Sequence, residues 1–395
     1  MSRKRPRIVG PSLPHESDAE ITKKRLKPAD PAPETAEDLL GLLDLSRLGS
    51  ESDISVGFGA IAREMLLEYR LTLTCGDIAT EYDILELEFY LYKPGCHEDP
   101  FTHGADEQKR SGNWYFHKVP RRSPLPANPI ASTSAAGGYR GGTRKGLDLT
   151  FGMPSVVRSP YFSNDGSSQA CSAEANTVGG ILLRTIQRVS DGGVISGPSL
   201  VVDEILRLTG APAIAVLIKE KWKGNICAFH TPSSASESRE AHLRLHRRPR
   251  SSAKDKPTVY SSPRIGLDLS NPETTASLDH PRVVYMPKAY RYFTSPHLLT
   301  SNGRPQTLYG LYRQLSLLQE YSRDEARMSE ELTALTSLKP QSVAKYLADY
   351  KSGYESGHLQ SFVATAGKGA SASPAAYLRM MGTLQRMSEE AALPV

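Results

Sequence analysis

The stretch from Asp83 to Tyr92 constrains this chain more than any other. Ile84, Glu86, Glu88, Tyr90 and Tyr92 alternate with Leu85, Leu87, Phe89 and Leu91, the two-residue period of a strand with one face in a core. Its other face must then hold two glutamates and two tyrosines. Two ring- and histidine-bearing stretches follow directly, Cys96-His97-Glu98-Asp99-Pro100-Phe101-Thr102-His103 and Gly112-Asn113-Trp114-Tyr115-Phe116-His117. They bring more ring surface than a solvated face uses. The pattern predicts a cleft with carboxylates and rings on its floor and a His-bearing loop closing over it.

At 395 residues the chain is long enough for one large domain with appendages, or for two domains. A hydrophobic share of 39%, with 31 Gly and 28 Pro, implies long irregular segments. Their expected places are a basic, then Pro-rich and acidic tail at 1–54 and insertions near 118–138 and 231–256. The net charge is only +5, but positive charge gathers at Arg3 to Arg7, Lys23 to Lys27 and Arg244 to Arg250, and clusters matter more for partners than the total. The first two read as a bipartite nuclear import signal, which places the protein in the nucleus. No apolar run approaches membrane-spanning length, so no membrane partner is expected. Cys75, Cys96, Cys171 and Cys227 are too few and scattered for a disulfide framework and fit a reducing compartment. Cys96, His97, His103 and His117 are metal-ligand types, but their spacing fits no familiar zinc pattern, and neither metal nor cofactor is expected.

Taken in order, the apolar Leu39 to Leu45 reads as a segment that folds only on a partner. Phe58, Ile61, Met65 and Leu66 recur at helical spacing, and Arg70 to Thr74 is a strand that turns at Cys75-Gly76-Asp77 into the Asp83 strand. Gly141-Gly142 bends the chain beside Arg140, Arg144 and Lys145, either as a phosphate-facing turn or as an ordinary hairpin, and Leu147 to Phe151 is again strand-like. Gly179 to Ile186 is a buried strand carrying Arg184, which needs an anionic partner. Ser196 or Ser199 caps a helix opened by Pro198, and Ala213 to Ile218 reads as a further strand. Thr231 to Lys256 reads as disordered, or as a helix that orders on nucleic acid. Ser262 to Leu267 and Tyr290 to Thr294 finish the sheet. Beyond Thr300, Leu308 to Leu338 and Gln341 to Tyr354 are helical, and Ala364 to Ala375 links to a last short helix.

In this order the motifs resemble those of the alkyladenine (3-methyladenine) DNA glycosylase family. The matching stretches are Ala62-Arg63-Glu64-Met65-Leu66-Leu67 ending a helix, Leu85-Glu86-Leu87-Glu88-Phe89-Tyr90, and a following loop whose key His corresponds to His103. Further on come Phe151-Gly152, Leu182-Leu183-Arg184, Ser196-Gly197-Pro198-Ser199, Pro263-Arg264-Ile265-Gly266 and Arg291-Tyr292-Phe293. The resemblance covers roughly residues 55 to 300. It implies an α+β fold, one mixed domain at 55–303 with a curved, mostly antiparallel sheet, extended by helices at 304–395. The chain departs from the family at Asp148, where a pocket tyrosine would stand, at Phe151 in place of a tyrosine wedge, and at Arg158 in place of an asparagine.

The resemblance implies a monomeric base-excision enzyme acting on DNA, or on RNA. Such an enzyme rotates a damaged purine out of the duplex and hydrolyses its bond to the sugar. Glu88 would activate water and balance the cationic sugar, with Glu86 as fallback. Tyr90 and His103 would stack on the base. Phe151 would wedge into the gap, and Arg140, Arg144, Lys145 and Arg184 would neutralise phosphates. A structural role for Glu88 would instead pair it with Arg184. The rival reading is a glycosylase-like module with altered chemistry that binds nucleic acid or scaffolds, its C-terminal helices meeting a protein partner.

Overall fold

The computed structural model describes residues 39–118, 138–153, 177–229, 241–248, 256–299, 302–318, 321 and 324–392. The basic clusters at Arg3 to Arg7 and Lys23 to Lys27, residues 119–137, Cys171 and Arg158 lie outside them. Among the described residues one sheet of ten strands organises the chain. The strands are β1 (Tyr69–Cys75), β2 (Ile78–Lys93), β3 (His97–Glu98), β4 (Trp114–Phe116), β5 (Leu147–Thr150), β6 (Val178–Arg188), β7 (Val194–Ser196), β8 (His242–Arg247), β9 (Tyr260–Ser262) and β10 (Arg291–Phe293). Their main order is β4-β5-β6-β2-β1-β8, with β10 joining β2 to β9, and the pairings are antiparallel. Helices complete an α+β fold: α1 (Leu39–Leu42), α2 (Glu51–Leu67), α3 (Pro198–Thr209), α4 (Ile214–Val216), α5 (Pro281–Tyr285), α6 (Arg304–Ser316), α7 (Glu325–Thr336), α8 (Pro340–Ser356) and α9 (Pro374–Ala392).

The predicted alternation of β2 holds from Leu87 onward but breaks just before it. The register against β6 shifts between Ile84 and Glu86 and again before Leu87, a bulge that turns Ile84 onto the face of Leu87, Phe89 and Leu91. Leu85 is left on the opposite face, where it joins Phe293, Leu308, Leu311 and Leu332 in a second apolar cluster. Helix α2 begins at Ser50, whose Oγ accepts from the Asp53 N–H at 3.1 Å. It lays Phe58 on Phe89, ring centroids 4.8 Å apart. Leu39 and Leu43 of the α1 segment are fully buried in the same core. The segment expected to need a partner thus packs on its own chain, and folded structure begins ahead of residue 55.

The sheet curls until its outer strands meet. The Trp114 N–H on β4 donates to the Ile226 carbonyl (2.7 Å), the Ala228 N–H to the Gly112 carbonyl (2.9 Å), and the Leu245 N–H on β8 to the Ala228 carbonyl (2.7 Å). Trp114 also reaches across, its Nε1 donating to the Leu243 carbonyl at 2.8 Å. β8 falls inside the stretch expected to be irregular. Leu243 and Leu245 alternate with His242, Arg244 and His246 and pair with β1, a strand pattern hidden under basic charge. Ala213 to Ile218 is helical rather than a strand, with Ile214 and Leu217 buried three residues apart. Gly197, at φ 121°, takes the cap position expected for a serine.

The C-terminal helices are part of the sheet's cover. Leu308, Leu311 and Leu315 of α6, Met328 and Leu332 of α7 and Val343 of α8 bury Leu85 and Phe293, and residues 38–395 form one compact unit. The last helix, α9, spans 19 residues and is longer than the short helix expected there. Among the described residues no helix is long and apolar enough to cross a membrane.

Candidate functional site

Residues directly opposed in an antiparallel sheet share a face, so register assigns the polar floor. Glu88 pairs with Leu182 and Leu182 with Asp148; Tyr115 then pairs with Asp148 on β4. One row along, Tyr90 pairs with Gly180 and Gly180 with Thr150. The floor thus carries Glu88, Tyr90, Asp148 and Tyr115 side by side. Gly179-Gly180 suits both faces at once. A Cβ on Gly179 would stand 2.8 Å from the Phe151 ring, and one on Gly180 would stand 2.6 Å from Asp148 Oδ2 and 2.9 Å from Gln108 Nε2.

Glu88 is 0% exposed, and three donors hold its carboxylate. Arg184 Nη1 reaches Oε2 at 3.2 Å, the Tyr90 hydroxyl donates to Oε2 at 2.9 Å, and the Ile265 N–H donates to Oε1 at 2.7 Å. Glu86 accepts from Arg291 Nε (2.6 Å), Arg184 Nε (3.2 Å) and the Thr185 hydroxyl. Asp99 takes both terminal nitrogens of Arg264, whose guanidinium lies 4.5 Å over the Tyr90 ring. Three acids and three arginines therefore interlock beneath the cover, all buried. Burial raises the pKa of Glu86, but Arg291 and Arg184 outweigh it and keep the carboxyl below its ordinary range. Burial opposes the charge on Arg184, and Glu88 and Glu86 more than restore it. Burial, then the neighbouring Glu88, pushes Tyr90 well above a free phenol.

A second cluster lies across Gly180. His117 Nε2 and Asp148 Oδ1 are 2.9 Å apart. Burial lowers the pKa of His117, but Asp148 outweighs it and raises the ring above an ordinary histidine. His103 is exposed, its ring 6.4 Å from that of His117. Desolvation by the surrounding chain, then His117 and Arg140, lowers its pKa. Arg144 is exposed, while Arg140 is half-buried with its Nε on the Lys118 carbonyl.

Several expected roles change place. Phe151 follows Leu147 and Leu149 at the alternate positions of β5 and is fully buried, 5.6 Å from Phe89 and 5.5 Å from Phe58; an enclosed ring presents nothing to a duplex. Arg184 is 7% exposed and committed to Glu86 and Glu88, so it faces no phosphate. Lys145 pairs with Asp203 of α3. Glu88 and Tyr90 stand together, and His103 stands beside His117 rather than against Tyr90. His97 belongs to the core, bonded to the Leu91 carbonyl and the Tyr290 hydroxyl. Among the described residues no group of three His, Cys, Asp or Glu side chains could hold a metal ion. The reading from sequence missed Arg264, Arg291, Asp99 and the His117–Asp148 pair. An arginine inside an apolar run, the sign that singled out Arg184, was equally present at Arg291.

Over 197 residues, 48% of this chain and 69% of the relative, the sequence is 27% identical to Uncharacterized protein L759 of Acanthamoeba polyphaga mimivirus. No protein-family model matches the chain.

Proposed function

We propose that the polar floor is the site of a nuclear glycosylase-like enzyme that draws a damaged purine out of nucleic acid and hydrolyses its N-glycosidic bond. The observation that carries this reading is the Glu88–Tyr90 pair on one strand face, with Glu88 bonded to the Tyr90 hydroxyl and Arg184 behind it. The order of motifs that resembles the alkyladenine DNA glycosylases supports it. In the reaction a water oxygen bonds to the sugar carbon as the carbon–nitrogen bond breaks and its electron pair leaves on the base. Glu88 takes the water's proton and offsets the positive charge on the sugar. The Ile265 N–H now occupies Glu88 Oε1, so the Arg264–Ile265 segment has to shift before water can reach that oxygen. Asp148 and His117 put a polar edge where the family has a ring, which favours a base with hydrogen-bonding groups over a purely stacked one.

The test is incubation of the full chain with DNA and RNA oligonucleotides carrying hypoxanthine or ethenoadenine, followed by detection of abasic sites. Abasic sites support the reading. Binding with no excision across both lesions and both polymers overturns it in favour of a second one, a nucleic-acid-binding module. The specific observation behind that second reading is the complete burial of Glu88 with all its neighbours satisfied.

A further inference from the structure

Three helices begin around Arg304. α6 starts there behind Gly303, α8 starts behind Lys339, α9 starts at Pro374, and none carries an acidic residue in its first turn. Neither Gly303 nor Lys339 caps its helix with a side-chain hydrogen bond. Two cavities of about 720 and 540 Å³ open at these helix starts, and Arg304 lines both. Asn302, Gln306 and Tyr346 line the larger, His297 and Lys339 the smaller, and among the described residues no carboxylate lines either. Ser371, also in the larger wall, already donates to Asp268. Positive helix ends, an arginine, a lysine and a histidine without acids make a setting for an anion. Arg304 is exposed and makes no hydrogen bond or ion pair among the described residues.

Gln306 says more about the occupant. Its side chain is 1% exposed, yet its Oε1 has no hydrogen-bond partner, an omission that buried polar groups rarely show. A primary amide offers one acceptor and two donors, the complement of a purine edge such as that of adenine. Tyr346, half-buried in the same wall, supplies a ring face for a base. We propose that the larger cavity binds a nucleotide, its phosphate at Arg304 and the helix starts and its base against Gln306 and Tyr346. The nucleotide is either free or one unit of a strand. Ile265 lines this cavity and also holds Glu88 through its N–H, so the occupant sits one residue from the carboxylate of the floor. The binding does not depend on whether Glu88 hydrolyses anything.

Calorimetry on the full chain tests this with adenosine monophosphate, adenosine, inorganic phosphate and a short single-stranded oligodeoxynucleotide. The monophosphate should bind, and adenosine and phosphate should each bind more weakly. Arg304→Ala, at an exposed position, should weaken the monophosphate about tenfold or more, the scale of one charge-assisted hydrogen bond. Gln306→Ala should weaken the monophosphate while leaving inorganic phosphate unchanged. A strand that competes with the monophosphate, and also weakens in Arg304→Ala, places the site on the path of a polymer; a strand that does not compete leaves it to a free nucleotide. Melting curves confirm that each variant is folded. No heat from the monophosphate at about millimolar concentration, the weak end of specific binding, overturns the proposal. So does equal affinity for phosphate alone, which would mean an adventitious ion only, or unchanged affinity in Arg304→Ala.

Discussion

Three donors surround Glu88, and only Arg184 and Tyr90 among them are side chains, which makes Glu88→Gln a sharp substitution. A glutamine keeps the shape but can neither take a proton nor balance a cationic sugar, so excision should fall by ~100-fold or more while nucleic-acid binding persists. If Glu88 serves only to pair Arg184, the same change should cost about 3–5 kcal/mol of stability, with any activity loss tracking unfolding. Melting, binding and excision measured on this one variant separate the two, and a stable variant cutting at the normal rate would remove Glu88 from the reaction. The His117–Asp148 pair predicts a pH effect with a definite sign. His117 has a raised folded-state pKa, so its pairing stabilises fully below the unfolded-state histidine pKa and is lost as pH rises through the higher folded value. Asp148→Asn should therefore be most destabilising at about pH 5 and least at about pH 8, the range where histidine titrates. A melting difference from the unchanged protein that is flat across this range would show that the pair carries no titrating charge.

Among the elements, α8 and α9 pack with their backbones close together. A Cβ on Gly382 would run into the Tyr350 carbonyl, and one on Gly353 into the Arg379 backbone. Gly382→Ala should therefore cost about 1–3 kcal/mol, as overpacking does, read as a lower midpoint in urea; an unchanged midpoint would mean that the helices slide apart freely. The elements also show what the sequence could reveal. β1, β2, β6, α2, α6 and α8 were legible because their apolar residues repeat at two or at three to four positions. Leu85 was placed on the wrong face because a bulge shifts phase without any special residue to mark it. β8 was hidden because Arg244 and the two histidines obscure the alternation of Leu243 and Leu245. Ala213 to Ile218 was too short an apolar run to tell a strand from a helical turn. At the site, β2 announced Glu88 and Tyr90 through local alternation. The partners Arg264, Asp99 and Arg291 come from distant parts of the chain, and only the fold brings them together.

Over the whole molecule, the proposed function makes charge the expected hold on nucleic acid. With Lys145 paired to Asp203 and Arg184 buried, Arg140 and Arg144 remain of the four basic residues expected to neutralise phosphates. Replacing both by alanine should make the dependence of log affinity on log salt shallower by up to ~2, about 0.9 for each phosphate no longer neutralised; an unchanged slope would move the binding face elsewhere. Entry to the nucleus is proposed for the clusters at Arg3 to Arg7 and Lys23 to Lys27, and alanine in their place should hold a tagged chain in the cytoplasm. A variant that still enters would assign those residues another purpose. The short Ile226–Ala228 segment has a consequence for the protein among its own copies. Because it bonds to β4 on one side and β8 on the other, neither outer strand offers a bare row of amides along the part it covers. Bare rows are what let one sheet recruit another into aggregates. Loosening this tie, for instance with proline at Ala228, whose N–H bonds Gly112 just ahead of β4 and whose carbonyl bonds Leu245 of β8, would expose two templates at once.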